Sequence, residues 1–273
     1  MVTLYQKSSF RVPVDAENVT PDAFAGKSVN EIKSLHLWEG NHRRALSDLF
    51  KVDCEEGVCG EDVNIQIVGD LTKVKRLGAR MSRGRIVVEG SVGMRLGEEM
   101  SGGDITVTGN AGSWAGMMMK GGKIEVAGNV GDYIGASYRG STVGMKSGAI
   151  IVRGDAGNEV GCFMNGGFIR IGGNVEQFMG MHMRNGGILV EGDAGDRVGA
   201  EMMGGRIVVL GKVSTILPSF IVDEIRPNVR VGDERVSGPF YVFKGDVTES
   251  WNGSLYVAIG KNLHLKVYES KIA

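Results

Sequence analysis

Between Gly84 and Gly211 the apolar positions fall into one short figure that repeats along the chain. Ile86, Ile105, Ile124, Ile150, Ile169, Ile188 and Ile207 are each followed two residues later by Val88, Val107, Val126, Val152, Ile171, Val190 and Val209. A glycine opens each figure two residues before the isoleucine: Gly84, Gly103, Gly122, Gly148, Gly167, Gly186 and Gly205, at spacings of 19, 19, 26, 19, 19 and 19. Another closes it two residues after the second apolar position, and a degenerate unit, Ile65, Ile67, Gly69 and Met81, precedes the series.

Side chains two apart share one face of a strand, so each unit predicts a short β-strand with an inward Ile/Val face. Strands this short cannot stand alone. A unit of this length makes about one circuit of a solenoid, and stacking circuits pairs each strand in parallel with its copy. About eight circuits at about 4.8 Å each give a column on the order of 35 Å long. After the strand come Gly and then Asn110, Asn129, Asp155, Asn174 or Asp193, residues that tolerate a left-handed corner and whose stacked copies can hydrogen-bond to each other's backbones. Val92, Ala111, Val130, Ala156, Val175 and Ala194 then turn one small group inward. A second glycine corner follows, broken by Glu176, and Met100, Met119, Met164, Met183 and Met202 close the unit as adaptable core fillers. Tyr138 takes the methionine slot ahead of an insertion at 138–144, and Met145 recovers it.

The flanks lack the repeat. Residues 1–62 carry 7 basic and 11 acidic side chains; Thr20-Pro21-Asp22 starts a short helix, and Ser28 with Glu31 forms a capping box before another. This segment is placed to cap the N-terminal end of a solenoid spanning 63–211. Residues 212–273 alternate again at Tyr241-Val242-Phe243, Leu255-Tyr256-Val257 and Leu263 to Tyr268, and predict further strands that cap the far end or cross the wall. The expected fold is therefore mainly β: a solenoid between a short helical N-terminal cap and a β-rich C-terminal segment.

Composition sharpens this. Of 44 glycines, 33 fall between 84 and 211 at fixed offsets among β-branched residues, which marks corners rather than a flexible linker. A net charge of −1 gives no reason to expect nucleic acid or an acidic membrane surface. With no long apolar run and no signal-like N-terminus, the expectation is a soluble cytoplasmic protein, and the sparse set Cys54, Cys59 and Cys162 suits a reducing compartment. Cys54 and Cys59 make half of any metal site, and His36, His42, His182 and His264 are scattered, with no nucleophile elbow or H-x-x-x-H. The glycines fit no phosphate-loop motif. No catalytic, cofactor-binding or metal-ligating set is therefore assigned. The basic run Lys73, Lys75, Arg76, Arg80, Arg83 and Arg85 could grip a phosphate or an acidic partner, but a solvated face or pairing with the acidic N-terminal segment is the preferred reading.

The outward strand positions divide. Early units are largely polar there, with Arg85, Glu89, Asp104, Thr106, Thr108, Lys123 and Glu125. Later units present Ile151, Phe168, Leu189, Val208 and Leu210, a candidate partner interface. An apolar wall of this kind needs a cover, either the chain's own C-terminal segment or another subunit.

The repeat G-x-I-x-V-x-G-[ND]-[AV]-G-x-x-x-G-x-x-M over about residues 63–211 closely resembles the GXGXG domain found in the glutamate synthase large subunit and in the C subunit of formylmethanofuran dehydrogenase. Val12-Pro13-Val14, Pro21 to Ser28 and Glu31-Ile32 are similar to the N-terminal segment of the latter. The resemblance implies a right-handed parallel β-helix and a scaffold role without an active site, in a cytoplasmic oxidoreductase complex of archaeal methanogenesis that reduces CO2 to N-formylmethanofuran with ferredoxin. It also implies partner subunits, namely pterin subunits, an amidohydrolase-like subunit and a polyferredoxin, that carry a molybdenum or tungsten pterin, iron–sulfur clusters and a dinuclear metal site. A related hydrolytic complex of methylotrophs would have a similar C subunit. Two other classes fit less well. A β-helix enzyme acting on polysaccharide needs acid/base carboxylates on one outer wall, and a hexapeptide-repeat acyltransferase would keep a period of eighteen rather than 19.

Overall fold

The computed structural model describes residues 1–54 and 63–272. In chain order it contains β1 (Val2–Gln6), β2 (Val14–Asp15), α1 (Pro21–Phe24), α2 (Val29–Lys33), β3 (His36–Glu39), β4 (His42–Ala45), α3 (Leu46–Leu49) and β5 (Phe50–Cys54). The repeat supplies β6 (Asn64–Val68), β7 (Val74–Lys75), β8 (Arg85–Glu89), β9 (Asp104–Val107), β10 (Lys123–Val126), β11 (Ala149–Val152), β12 (Asn165–Ile171), β13 (Asn185–Val190) and β14 (Gly204–Val209). The C-terminal segment adds β15 (Ile221–Val231), β16 (Glu234–Gly245), β17 (Asn252–Ala258) and two 3-10 turns, Ile259–Lys261 and Leu263–Lys271.

The molecule is mainly β and is dominated by a mixed sheet of 13 strands in the order β15-β16-β17-β14-β13-β12-β11-β10-β9-β8-β6-β1-β5. Strands β6 to β14 along that row pair in parallel and in register, so the repeat's isoleucines stand beside one another from Ile65 through Ile86, Ile105, Ile124, Ile150, Ile169 and Ile188 to Ile207. A second column of parallel bridges joins Leu71, Val92, Ala111, Val130, Ala156, Val175, Ala194 and Val213. Methionines 81, 100, 119, 145, 164, 183 and 202 are all fully buried. Identical apolar groups stacked at this spacing remove each other from water, which stabilises by roughly 1.5–3 kcal/mol per buried side chain.

The row extends past the repeat at both ends. β17 pairs Gly205 with Gly253, Ile207 with Leu255 and Val209 with Val257, so Gly253-x-Leu255-x-Val257 is a further copy of the figure. At the other end β1 sets Val2 beside Ile65 and Leu4 beside Ile67. The N-terminal caps read from the sequence are present: the Thr20 hydroxyl accepts from the Ala23 N–H at 3.0 Å, and Ser28 and Glu31 form the capping box. Its β2, β3 and β4 join β7 of the repeat in a four-stranded sheet, β4-β3-β2-β7.

Three expectations are corrected. Asn110, Asn129, Asp155, Asn174 and Asp193 do not take left-handed backbone. Their side-chain oxygens accept from the backbone N–H of the residue one unit on, at 2.6 to 2.9 Å, and Ser91 serves Asn110 at 3.0 Å. The left-handed corners fall instead on large residues eleven and fifteen positions after the opening glycines, among them Arg95, Glu99, Trp114, Met118, Tyr133, Phe163, Phe178 and His182, with φ between 54 and 64°. Tyr138 turns outward and is 49% exposed, so Met145 alone fills that slot. Leu263 to Tyr268 winds as 3-10 helix rather than strand, because Leu265 and Tyr268, three apart, are the pair that packs inward, Tyr268 against Phe243.

The loop after β16 is clasped to the last repeat by Asp246. This buried carboxylate accepts from the Thr248 N–H and hydroxyl and from the Glu201 N–H, at 3.0, 2.6 and 3.0 Å. Burial pushes its pKa up, but the bonds from Thr248, Glu201 and Ser219 outweigh that and hold it below the usual value. A depressed folded-state pKa contributes stability above the unfolded value, and that stability fades as pH falls through the folded one. Asp246→Asn is therefore expected to cost about 1–3 kcal/mol at neutral pH. Urea melts of both proteins from pH 7 to pH 3 check this: the gap should shrink below about pH 4.

Candidate functional site

The outer face of the large sheet divides into a covered and an open half. Across the strands its middle row reads Gln66, Val87, Thr106, Glu125, Ile151, Arg170, Leu189, Val208 and Tyr256. Over the last three of these folds the far end of the β15–β16 hairpin, whose Val229, Val231, Phe240 and Val242 form a second buried cluster with Leu189, Val208 and Tyr256. Bulges at Val222/Glu224 and Arg226/Asn228 give β15 the bend this needs. Gly187 leaves room for Val231, whose methyl lies 2.6 Å from where a Cβ would stand, and Gly232 at the hairpin tip packs on the Phe168 ring. Arg170 pins the tip, 3.1 Å from Glu234 and 2.6 Å from Glu191.

The other half is open. Beside the hairpin tip lies a groove of about 570 Å³ whose lining includes Lys123, Glu125, Ile151, Arg153, Phe168 and Glu234. It continues, through shared Lys123 and Glu125, into a recess of about 180 Å³ that reaches Arg85 and Asp104, and through Arg153 into one of about 240 Å³ along Thr106 and Thr108. Of the five residues singled out in the sequence, Leu189 and Val208 are buried under the chain's own hairpin, and Phe168 and Leu210 are half-buried against the same cluster. Ile151, half-buried, lines the open groove with the flank of Phe168. The apolar wall thus gets most of its cover from the C-terminal segment.

The basic run docks the N-terminal segment. Arg76 meets Asp15 at 2.8 to 2.9 Å through Nε and Nη2 and Glu17 at 3.0 Å through Nη1. Lys75 reaches Asp15, Arg80 reaches Glu17, Arg83 reaches Asp22, and the Lys73 ammonium donates to the Arg11 carbonyl. The pairing is charge-assisted and at Asp15 partly buried, so it outweighs an exposed ion pair. Arg85 alone of the run points to the open groove.

The remaining reactive side chains are dispersed. Cys162 is buried, and burial together with the nearby Glu159 carboxylate pushes its thiol up to about 12. Cys54 is half-buried, and Cys59 lies outside the described residues. His182 stacks on Phe163 at 4.4 Å with Nδ1 3.4 Å from Glu201, His264 Nε2 lies 3.0 Å from the Val213 carbonyl, and His36 and His42 are exposed in β3 and β4. Among the described residues no three His, Cys, Asp or Glu side chains converge, and no helix is long and apolar enough to cross a membrane.

A second surface was missed in the sequence. The left-handed corners form two outward columns, and in the units just before the insertion Trp114 and Tyr133 stack face to face at 4.6 Å with an 8° interplanar angle. Beside them is a cleft of about 270 Å³ closed on its far side by Tyr138 to Ser141 and Phe163. The signal was available: these residues recur at fixed offsets from the glycines. It was obscured because left-handed backbone ordinarily selects Gly or Asn.

No known family profile matches the chain. Over 93 residues it is 44% identical to the C subunit of tungsten-containing formylmethanofuran dehydrogenase 2 of Methanothermobacter wolfeii, an alignment covering 34% of each chain. Over 93 residues it is 41% identical to the C subunit of molybdenum-containing formylmethanofuran dehydrogenase 1 of Methanosarcina barkeri, covering 34% of this chain and 31% of that one. The matched region spans about a third of the length of these curated relatives. Among solved structures, a chain of the formyltransferase/hydrolase complex from Methylorubrum extorquens, determined with methylofuran, superimposes with a TM-score of 0.82 and 29% identity over 94% of this chain and 99% of that one. The chain is thus similar to the C subunits of formylmethanofuran dehydrogenases, as its repeat implied.

Proposed function

We propose that this chain is a non-catalytic scaffold subunit of a formylmethanofuran dehydrogenase complex, folded as a right-handed parallel β-helix of about eight turns. In this reading the complex is cytoplasmic and reduces CO2 onto methanofuran as N-formylmethanofuran. The molybdenum or tungsten pterin, the iron–sulfur clusters and the dinuclear metal site reside in the partner subunits, and no chemical step is assigned to this chain. The observation that carries the reading is the structural likeness over 94% of the chain to one component of a larger complex. The repeat supports it, because its Ile, Val, Met and Asn side chains are committed to core and ladder. The open groove at Ile151 and Phe168 is where a partner would meet the wall.

The same likeness favours a second reading, a subunit of a formyltransferase/hydrolase complex without the redox step. Purification of the tagged chain from its source cells separates the two. Co-elution with molybdenum or tungsten and reduction of a low-potential dye by formylmethanofuran supports the dehydrogenase. A stable complex lacking both, with formyl transfer retained, supports the second. A chain that elutes as a free monomer sinks both.

A further inference from the structure

The corner beside the 138–144 insertion carries chemistry that neither the core nor the ladder uses. Holding an L-residue in left-handed backbone costs roughly 1–2 kcal/mol, and Gly or Asn would relieve it. Yet this column keeps Arg95, Trp114, Tyr133, Glu159, Phe178 and Arg197 there. Stacked at a rise of about 4.8 Å, such side chains project as a continuous spine.

At the insertion the spine opens into the cleft of about 270 Å³. Its floor is apolar, with Ala136 1% and Cys162 4% exposed. One wall is the Trp114–Tyr133 stack, and the rim is Tyr138 and Arg139. The space lies below the roughly 300–1,000 Å³ of small-molecule sites but suits one large side chain. Trp, Tyr and Arg around a small desolvated pocket are the residues that anchor protein interfaces. Of the charged residues that line the cleft, Arg139 is exposed and Glu159 is half-buried. The Glu159 carboxylate is engaged internally with the Tyr133 hydroxyl and the Cys162 thiol. Arg139 and Arg197 lie over the rings of Trp114 and Phe178 at 5.8 and 5.3 Å, and neither has an ion-pair partner among the described residues.

We infer that this corner is a docking pocket for one apolar side chain of a partner-protein segment whose neighbouring residues are acidic. The aromatic walls take the anchor, and Arg139 and Arg197 meet the flanking carboxylates. The inference rests on the reading of the chain as one subunit of a larger complex, and it assigns part of the contact to the corner rather than to the sheet face.

Thiol labelling tests it. Thr142→Cys, on the exposed insertion beside the cleft, and Trp251→Cys, at the 54% exposed Trp251 just before β17, serve as probe and reference, each mapped by peptide mass. Maleimide should react with position 142 at least ~10-fold more slowly in the complex purified from source cells than in the isolated full-length chain, with position 251 as the normalising rate. Arg139→Glu, an exposed change that spares the core, should raise the dissociation constant of the complex ~10-fold or more, with the larger effect at low salt. Equal labelling at 142 within an intact complex, or unchanged affinity of Arg139→Glu, overturns the pocket and leaves the scaffold reading standing. Protection at 142 in a homodimer of the isolated chain overturns the acidic partner. A chain found in no complex overturns both readings.

Discussion

Gly122→Ala is expected to cost about 2–5 kcal/mol, which a shift in the urea midpoint would measure. Gly122 opens β10 at φ +81°, and a Cβ there would stand 2.6 Å from the Gly103 carbonyl oxygen and 2.9 Å from the Gly102 carbonyl carbon. Those atoms are backbone of the preceding unit, fixed by the parallel ladder, so relief requires separating two stacked units. Left-handed strain and overpacking therefore add. Gly26→Ala isolates the first component. Its φ is +69° with nothing within 4 Å, so only about 1–2 kcal/mol is expected. Equal losses at the two positions would show that the units are not held at the contact distance described.

Phe240→Ala is expected to cost about 3–5 kcal/mol and to loosen the hairpin from the sheet face. The ring is fully buried, meets Tyr256 edge-on at 6.3 Å and 85°, and shares its cluster with Leu189 and Val208. Its loss removes the largest side chain that the hairpin contributes to this cover. Hydrogen exchange should then speed in β15 and around Leu189 in β13 before the uncovered strands β8 to β10 respond. Ile225→Ala is the control. That side chain is 44% exposed on the same hairpin, and a change within about 0.5 kcal/mol is expected. A Phe240→Ala protein with unaltered exchange at Leu189 would show that the hairpin does not shield the wall.

The repeat was legible because each unit puts the same residue at the same offset, and Ile86 through Ile207 pair in the register their spacing predicts. The further copy in β17 was not, since Gly253, Leu255 and Val257 stand 48 residues after Gly205, Ile207 and Val209 with the hairpin between. The contact of the hairpin with Leu189 and Val208 was visible only as a need for cover: an apolar outward row shows that something must lie on it, not which strand bends back. The aromatic corner stayed hidden for a different reason. Trp114 and Tyr133 sit in backbone that propensity assigns to glycine, and only the three-dimensional stacking of units separated by 19 residues brings their rings together.

The two ends of the long sheet bear on polymerisation. A stack of identical in-register parallel strands is the arrangement that lets amyloid fibres grow by adding copies. Here neither outermost strand presents the repeating figure. At one edge β5 runs antiparallel to its neighbour β1. At the other, β15 carries Pro227, which has no N–H to donate, together with two bulges and the charges of Asp223, Glu224, Arg226 and Arg230. A second molecule arriving head to tail finds no template for its own ladder, so the interior can keep a fibre-like regularity while the chain remains finite.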